Sequence, residues 1–74
     1  MEPIIITEQG HQVRRVMKHF VAERGVEMYE FLSGPRKGKF TVSFIVDGRI
    51  RIAYTGSQSM VEDKFGEFLE MMAE

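Results

Sequence analysis

The chain contains no cysteine and no tryptophan, and only two of its 74 residues are proline. Without cysteine it has neither a disulfide framework nor a thiolate metal site, so we expect a cytoplasmic protein. Apolar runs of the roughly 20 residues that span a bilayer are also missing. The first seven residues carry an acidic residue and a proline where a signal peptide would be positively charged. These features predict neither a secreted protein nor a membrane partner.

The composition is that of a small folded domain, with 43% hydrophobic and 28% charged residues. A chain of this length buries only roughly 60% of its unfolded surface and supports one hydrophobic core. We therefore expect a single domain over residues 1–74, which excludes a multidomain enzyme.

Charge is distributed unevenly, although the net charge is only −1. Residues 1–8 hold two acidic side chains, residues 9–52 hold nine basic against four acidic ones, and residues 53–74 hold one basic against five acidic ones. A basic middle and an acidic end bear on the partners of the protein and carry no information about its fold, and a solvated surface that segregates its charge is the alternative interpretation.

The residue pattern predicts an α+β domain in which a short N-terminal strand at Ile4–Ile6 precedes the order α-β-β-β-α. Over residues 8–24 apolar side chains recur at helical spacing, with Thr7 as N-cap and Gly25 just beyond the end. We expect a first helix whose buried stripe consists of Val13, Val16, Met17, Phe20 and Val21.

Three antiparallel strands are predicted between the helices. Residues 26–33 are rich in strand-forming residues, and residues 39–46 alternate between apolar and polar. Asp47-Gly48 then favours a type I′ hairpin turn. The sheet face expected to be buried carries Phe40, Val42, Phe44, Ile50, Ile52 and Tyr54.

A second helix is predicted from Ser59 to about Ala73, because Ser59 and Glu62 have the spacing of a capping box. Its outer face is acidic, and its core stripe consists of Val61, Phe65, Phe68, Leu69 and Met72. Both helices should pack on one face of the three-stranded antiparallel sheet.

The sequence predicts a non-catalytic protein with no metal and no cofactor. No serine lies in a G-x-S-x-G context, and residues 34–39 lack the spacing of a Walker phosphate loop. His19 and Glu23 form a helical i, i+4 pair of metal-ligand types, and two ligands do not make a site.

Basic side chains carry the strongest functional signal. On the predicted first helix one face is wholly basic, and the loop at residues 36–39 and the sheet add further charges, which suits them to neutralise phosphates. We therefore predict a small nucleic-acid-binding module, with an acidic protein surface as the alternative partner. The basic residues that this assigns to the site are His11, Arg14, Arg15, Lys18, Arg36, Lys37, Lys39, Arg49 and Arg51.

The predicted element order resembles the double-stranded RNA-binding domain over residues 11–72. The matching residues are Tyr29 before Gly34-Pro35, then Phe40, Val42 and Val46, then Gly56, Ser59 and Lys64. The resemblance implies recognition of an A-form duplex by the first helix, by the following loop and by the start of the last helix. Carried over, these roles fall to His11, Gln12 and Arg15, to Arg36 and Lys37, and to Lys64. Where that family has paired lysines this chain has Met60 and Val61, followed by two acidic residues.

Residues 38–69 also resemble, in layout, the sheet-reading DNA-binding domains of plant transcription factors and phage integrases. In those proteins the exposed sheet face enters the major groove. The resemblance implies contacts from Lys39, Thr41, Ser43, Arg49 and Arg51.

The alternative function is a protein-interaction module, such as a small regulator or inhibitor from a phage or other mobile element, acting as a homodimer. The first predicted sheet strand has apolar side chains on both sides, so one set must lie outside the local core. Such a surplus is typical of an interface. The residues that we assign to it are Ile4, Ile5, Tyr29, Phe31 and Ile45.

Overall fold

A computed structural model describes residues 10–73 and the backbone of residues 4–6. Within these residues five antiparallel strands form one sheet in the order β1-β2-β3-β4-β5, so that each strand pairs with its neighbours along the chain. The elements are β1 (Ile4–Ile6), β2 (Gln12–Val21), β3 (Arg24–Phe31), β4 (Phe40–Val46), β5 (Arg49–Gly56) and α1 (Gln58–Met72). The helix lies over β3, β4 and β5 on one face of the sheet. We call this the helix-side face and the opposite one the open face.

The predicted first helix is wrong, and with it the α-β-β-β-α order and the layer of two helices. Residues 12–21 form β2, which pairs with β3 from Val13 opposite Phe31 to Val21 opposite Arg24. A shift of register between Arg15 and Met17 makes Val16 an extra residue in the strand. The apolar side chains of β2 are therefore divided between the two faces of the sheet, with Val13 and Phe20 on one and Met17 and Val21 on the other, and their helical spacing does not mark one buried stripe.

The helix through which the double-stranded RNA-binding domain would contact a minor groove is therefore a strand in this protein. The short strand predicted at Ile4–Ile6 is confirmed as β1, and the three later strands are confirmed as β3, β4 and β5. Asp47 and Gly48 have φ angles of 55° and 77°, which confirms the type I′ turn between β4 and β5.

The core lies between the helix-side face and α1. Its sheet residues are Val26, Met28, Phe40, Val42 and Phe44, and its helix residues are Val61, Phe65 and Phe68, with Leu69 and Met72 packed at its margin. The predicted stripe of the last helix is thus confirmed. The predicted capping box is wrong, since α1 begins after Ser57, whose hydroxyl makes no capping hydrogen bond.

Ile50 and Ile52 were expected in this core but are exposed. Phe44 pairs with Ile52 and Ile45 with Ile50, so the shift of register leaves Arg51 as an extra residue in β5. Ile50 is thereby turned to the open face, where 64% of it is exposed. Among the described residues no helix has the length and apolar character needed to cross a membrane.

Candidate functional site

Rows of paired residues cross the open face, because residues opposite each other in neighbouring strands point to the same side. Two adjacent rows contain the polar and aromatic groups of the site. One consists of Arg15, Tyr29, Thr41 and Thr55, and the next of Lys18, Glu27, Ser43 and Ala53.

A depression of about 420 Å³ lies in this face, within the range of about 300–1,000 Å³ typical of ligand sites. Its floor is well packed, since Val13, Phe31 and Ser43 are all buried. The walls are largely apolar, so the depression can accept a flat, weakly polar group. The lining residues are Val13, Tyr29, Phe31, Arg36, Thr41, Ser43, Ile50, Ala53 and Thr55.

The loop between β3 and β4 places a cation at the rim of the depression. The amide of Phe31 donates to the carbonyl of Lys39 at 2.9 Å, which closes the loop at its base. Gly34 and Gly38 have positive φ angles of 82° and 86°, so the chain can turn back over the sheet. The guanidinium carbon of Arg36 consequently lies 5.8 Å from the centroid of the Phe31 ring.

A second cation, Arg15, lies opposite the lining residue Tyr29 and is held by Glu27 on the neighbouring strand. Its Nη1 atom lies 3.3 Å from Oε2 of Glu27, and both side chains are largely shielded from water. Tyr29 lies beside this pair. Burial raises the pKa of its hydroxyl, the hydrogen bond and charge of Glu27 add to the rise, and Arg15 opposes it. Tyr29 is therefore a neutral hydroxyl at physiological pH.

Hydroxyl groups line the side of the depression formed by β4 and β5. The Thr55 hydroxyl donates to Oγ1 of Thr41 at 3.0 Å, and the Thr41 hydroxyl donates to the carbonyl of Tyr54 at 3.2 Å. This series of hydrogen bonds leaves the lone pairs of the Thr55 hydroxyl oxygen as acceptors for a ligand.

Phe20 forms a separate aromatic surface on the open face, in the row with Gly25, Ile45 and Ile50. A Cβ atom at Gly25 would lie 2.1 Å from the Phe20 ring, so the ring covers this glycine directly. Phe20 remains 45% exposed. It is held in place by the sheet and is still accessible to a planar ligand.

Charge is separated across the thickness of the molecule. The rows of the open face carry Arg15, Lys18 and Glu27, and Arg36 adds a third cation from the loop. On the other side, α1 carries four acidic residues and a single lysine, and the helix-side face of the sheet adds Glu30 against Arg14, Arg24 and Arg49, so the net charge of that side is slightly negative. That lysine, Lys64, lies 3.4 Å from Glu67 and 5.5 Å from the ring centroid of Tyr54. The positive potential therefore faces away from the helix.

The structure brings together eight of the predicted site residues and separates the others. Those on the open face are Arg15, Lys18, Tyr29, Phe31, Arg36, Thr41, Ser43 and Ile45. Lys37 and Lys39 are exposed in the adjoining loop, and Arg51 is exposed at the irregularity of β5. The proposal of one basic helical face is wrong, because alternation along β2 divides its cations between the two sides of the sheet.

Several predicted contacts lie away from the open face. Arg14 is paired with Glu30 on the helix-side face, and Arg49 is in register with Val46, which packs at the core margin. Lys64 belongs to the helix. The sheet-reading resemblance thus placed Thr41 and Ser43 correctly on the open face, but not Arg49.

At the start of β2, His11 and Gln12 serve the loop rather than the rows of the open face. The His11 ring packs against Gly34, whose Cβ position would be only 2.4 Å from Nδ1. The amide of Gln12 donates to Oγ of Ser33 at 2.8 Å. For Ile4 and Ile5, the backbone pairs with Arg14 and Val13, and the side chains lie outside the described residues.

Sequence reasoning missed Phe20, Ala53 and Thr55 as parts of the site. Phe20 had been assigned to a helix core, and the glycine opposite it was interpreted as a helix terminator. Ala53 and Thr55 could have been identified from the alternation of a strand. They are two residues apart on β5, as Thr41 and Ser43 are on β4, so both pairs point to the same face of the sheet.

Comparison with protein-family models, with curated proteins and with solved structures finds no match. Within residues 10–73 no three histidine or carboxylate side chains are grouped so as to hold a metal ion.

Proposed function

We propose that this protein binds nucleic acid through the open face of its sheet, as a non-catalytic module of the cytoplasm. The observation that carries the proposal is the convergence of Arg15, Lys18 and Arg36 on an uncovered sheet face that also presents aromatic side chains. Cations and aromatic rings on one surface suit a ligand made of phosphates and bases.

The charge separation supports the same surface. Acidic α1 repels a polyanion from the back of the molecule, and the cations of the open face attract it to the front. A net charge of −1 is thus compatible with polyanion binding, because a ligand at the open face experiences the positive potential of that face rather than the net charge of the whole protein.

A charge-neutralising pair of variants tests the proposal. Lys18→Ala with Arg36→Ala removes two cations from the open face, and all four positions used in this test are exposed. The control, Arg24→Ala with Arg49→Ala, removes two cations in register with Val46 on the helix-side face. Both variants have the same net charge, so a difference between them reports the location of the ligand.

We expect the log-log salt slope of binding, measured by fluorescence anisotropy, to fall by about 1.4 to 1.8 for the open-face variant, at about 0.7 to 0.9 per lost phosphate contact. The control should retain the wild-type slope. Equal losses in the two variants would contradict the assignment to the open face, and absence of salt-dependent binding by the wild type would refute nucleic-acid binding.

Self-association is the second candidate function, and a specific apolar strip favours it. Met17 and Val21 lie on the helix-side face of β2, beyond the strands that α1 covers, and are 38% and 61% exposed. We call these two residues the β2 strip. Met17 and Val21 lie on either side of the exposed His19 on this face, and exposed apolar residues on a chain this small are typical of an interface between copies.

A further inference from the structure

We infer that the ligand of the open face is a single strand, of which one unstacked base occupies the depression. This inference rests on the proposed function and specifies the form of nucleic acid. The observation that supports it is a concave, mostly apolar depression with Arg36 in its lining and Arg15 next to its wall residue Tyr29, on a face that carries few charges in total.

The shape of the depression favours a base over a duplex surface. Its floor residues Val13 and Phe31 are recessed and buried, and Arg36 and Tyr29 stand at the walls. A ligand must project a flat group to reach this floor. The bases of a duplex are stacked inside the helix, whereas those of a single strand can be splayed out and inserted.

The number of cations leads to the same conclusion. Duplex DNA carries about one negative charge per 1.7 Å of its axis, and proteins that bind it usually neutralise many phosphates. Here Arg15 is already paired with Glu27, at 3.3 Å, leaving Lys18 on the rows and Arg36, Lys37 and Lys39 on the adjoining loop as the cations for phosphates. This is a small number for a duplex site, so contacts to bases, which a single strand exposes, must contribute to the affinity.

The position of Phe20 fits a second base along the same strand. Its row is four residues from the Tyr29 row along β3, a separation of about 13 Å at roughly 3.3 Å per residue. Lys18 lies in the row between them, in register with Glu27. A strand running from the depression to Phe20 would therefore pass this cation.

The hydroxyls of the depression supply polar contacts without a fixed sequence preference. Thr55 donates its hydrogen to Thr41 and keeps acceptor lone pairs, and the neutral Tyr29 hydroxyl lies at the opposite wall. Stacking and general polar contacts of this kind tolerate any base, so we expect weak sequence selectivity.

The first experiment compares single strands with duplexes of the same sequence. Labelled DNA and RNA oligonucleotides of about 16 nucleotides, the upper end of site sizes on single sheet modules, are titrated alone and after annealing to their complements. We expect each single strand to bind at least about tenfold more tightly than its duplex, with little difference among sequences. The DNA and RNA arms show whether the sugar contributes.

The second experiment fills the depression without changing charge. Ala53→Phe places an aromatic ring in the depression from an edge strand, and Ile52→Phe adds a ring at the adjacent, 41% exposed position on the helix-side face. We expect Ala53→Phe to weaken single-strand binding by about five- to 150-fold, the effect of losing one stacked base. Ile52→Phe should bind as the wild type. Thr55→Phe serves the same purpose if Ala53→Phe does not give the wild-type circular dichroism spectrum.

The outcomes separate this inference from the proposed function. Equal, salt-dependent binding of single strands and duplexes would overturn the single-strand inference and leave nucleic-acid binding in place. Unchanged binding by folded Ala53→Phe and Thr55→Phe would contradict the inference that a base occupies the depression. No binding of any oligonucleotide would remove both proposals.

Discussion

At the scale of single residues, Tyr29 connects the stability of the sheet with the chemistry of the open face. It is partly buried, lies beside the Arg15–Glu27 pair and forms a wall of the depression. Its pKa is raised chiefly because burial disfavours the tyrosinate. The hydroxyl can thus contact a ligand without adding negative charge to a cationic surface.

The raised pKa gives a direct prediction. In Tyr54→Phe, Tyr29 is the only tyrosine, because the chain has two. Ultraviolet absorbance should give a tyrosinate midpoint above the ordinary value of about 10 in the folded protein, and near that value in urea. The folded state holds the Tyr29 proton more tightly than the unfolded state does. The resulting contribution to the free energy of unfolding is therefore fully present below the ordinary, unfolded-state pKa of about 10, and it is lost as the pH rises through the folded-state pKa.

A matched titration of Tyr29→Phe provides the control. This variant should lack the part of the alkaline loss of stability that comes from Tyr29, as measured by denaturant unfolding between neutral and strongly alkaline pH. A folded-state midpoint at or below the urea value would contradict the buried position of the hydroxyl.

At the scale of elements, α1 contains a glycine that the fold does not require. Gly66 lies in the interior of the helix, is exposed, and would meet nothing within 4 Å if it carried a Cβ atom. A glycine in this setting lowers helix stability because its unfolded backbone has more freedom than that of other residues. Helix α1 is therefore less stable than its core stripe would allow.

We expect Gly66→Ala to increase the free energy of unfolding by about 0.5 to 1 kcal/mol, measured by chemical denaturation. The contrasting variant is Gly48→Ala in the β4–β5 turn, where φ is 77°. It should decrease the free energy by about 1 to 2 kcal/mol, because a left-handed conformation strains any residue with a Cβ atom. A stability gain at both positions, or at neither, would contradict these backbone assignments.

At the scale of the whole molecule, two surfaces offer different kinds of contact. The open face combines cations, aromatic rings and a depression, whereas the β2 strip is apolar. They lie on opposite faces of one sheet. A dimer formed through the β2 strip would leave both open faces accessible to nucleic acid, so the two candidate functions are compatible.

Paired substitutions identify which surface associates. We expect wild-type protein to form dimers at micromolar concentration, as measured by light scattering, and Met17→Thr with Val21→Thr to be monomeric. The matched change on the open face, Phe20→Thr with Ile50→Thr, should remain dimeric. The reverse result would place the dimer on the open face, in competition with the nucleic-acid proposal, and a monomeric wild type would remove the second candidate function.

Local signals in the sequence determined α1 and the β4–β5 hairpin. The stripe of Val61, Phe65 and Phe68 has helical spacing over many residues, and Asp47-Gly48 specifies its turn through the φ angles that these two residues tolerate. In β3, apolar residues on both sides predicted that one set would lie outside the local core, and Tyr29 and Phe31 do lie on the open face, although Phe31 is buried there. Each of these features is determined by residues that are close together in the sequence.

The tertiary structure decided the conformation of residues 12–21, the face of Ile50 and the composition of the site. Apolar spacing in β2 fits a helix or a bulged strand equally well, and only pairing with β3 along its length selects the strand. The bulges themselves arise from the register between strands, which no single segment contains. The candidate site was predictable only in part, because four strands and a loop supply its residues. Hydrogen bonds between distant segments therefore determined which side chains share the open face.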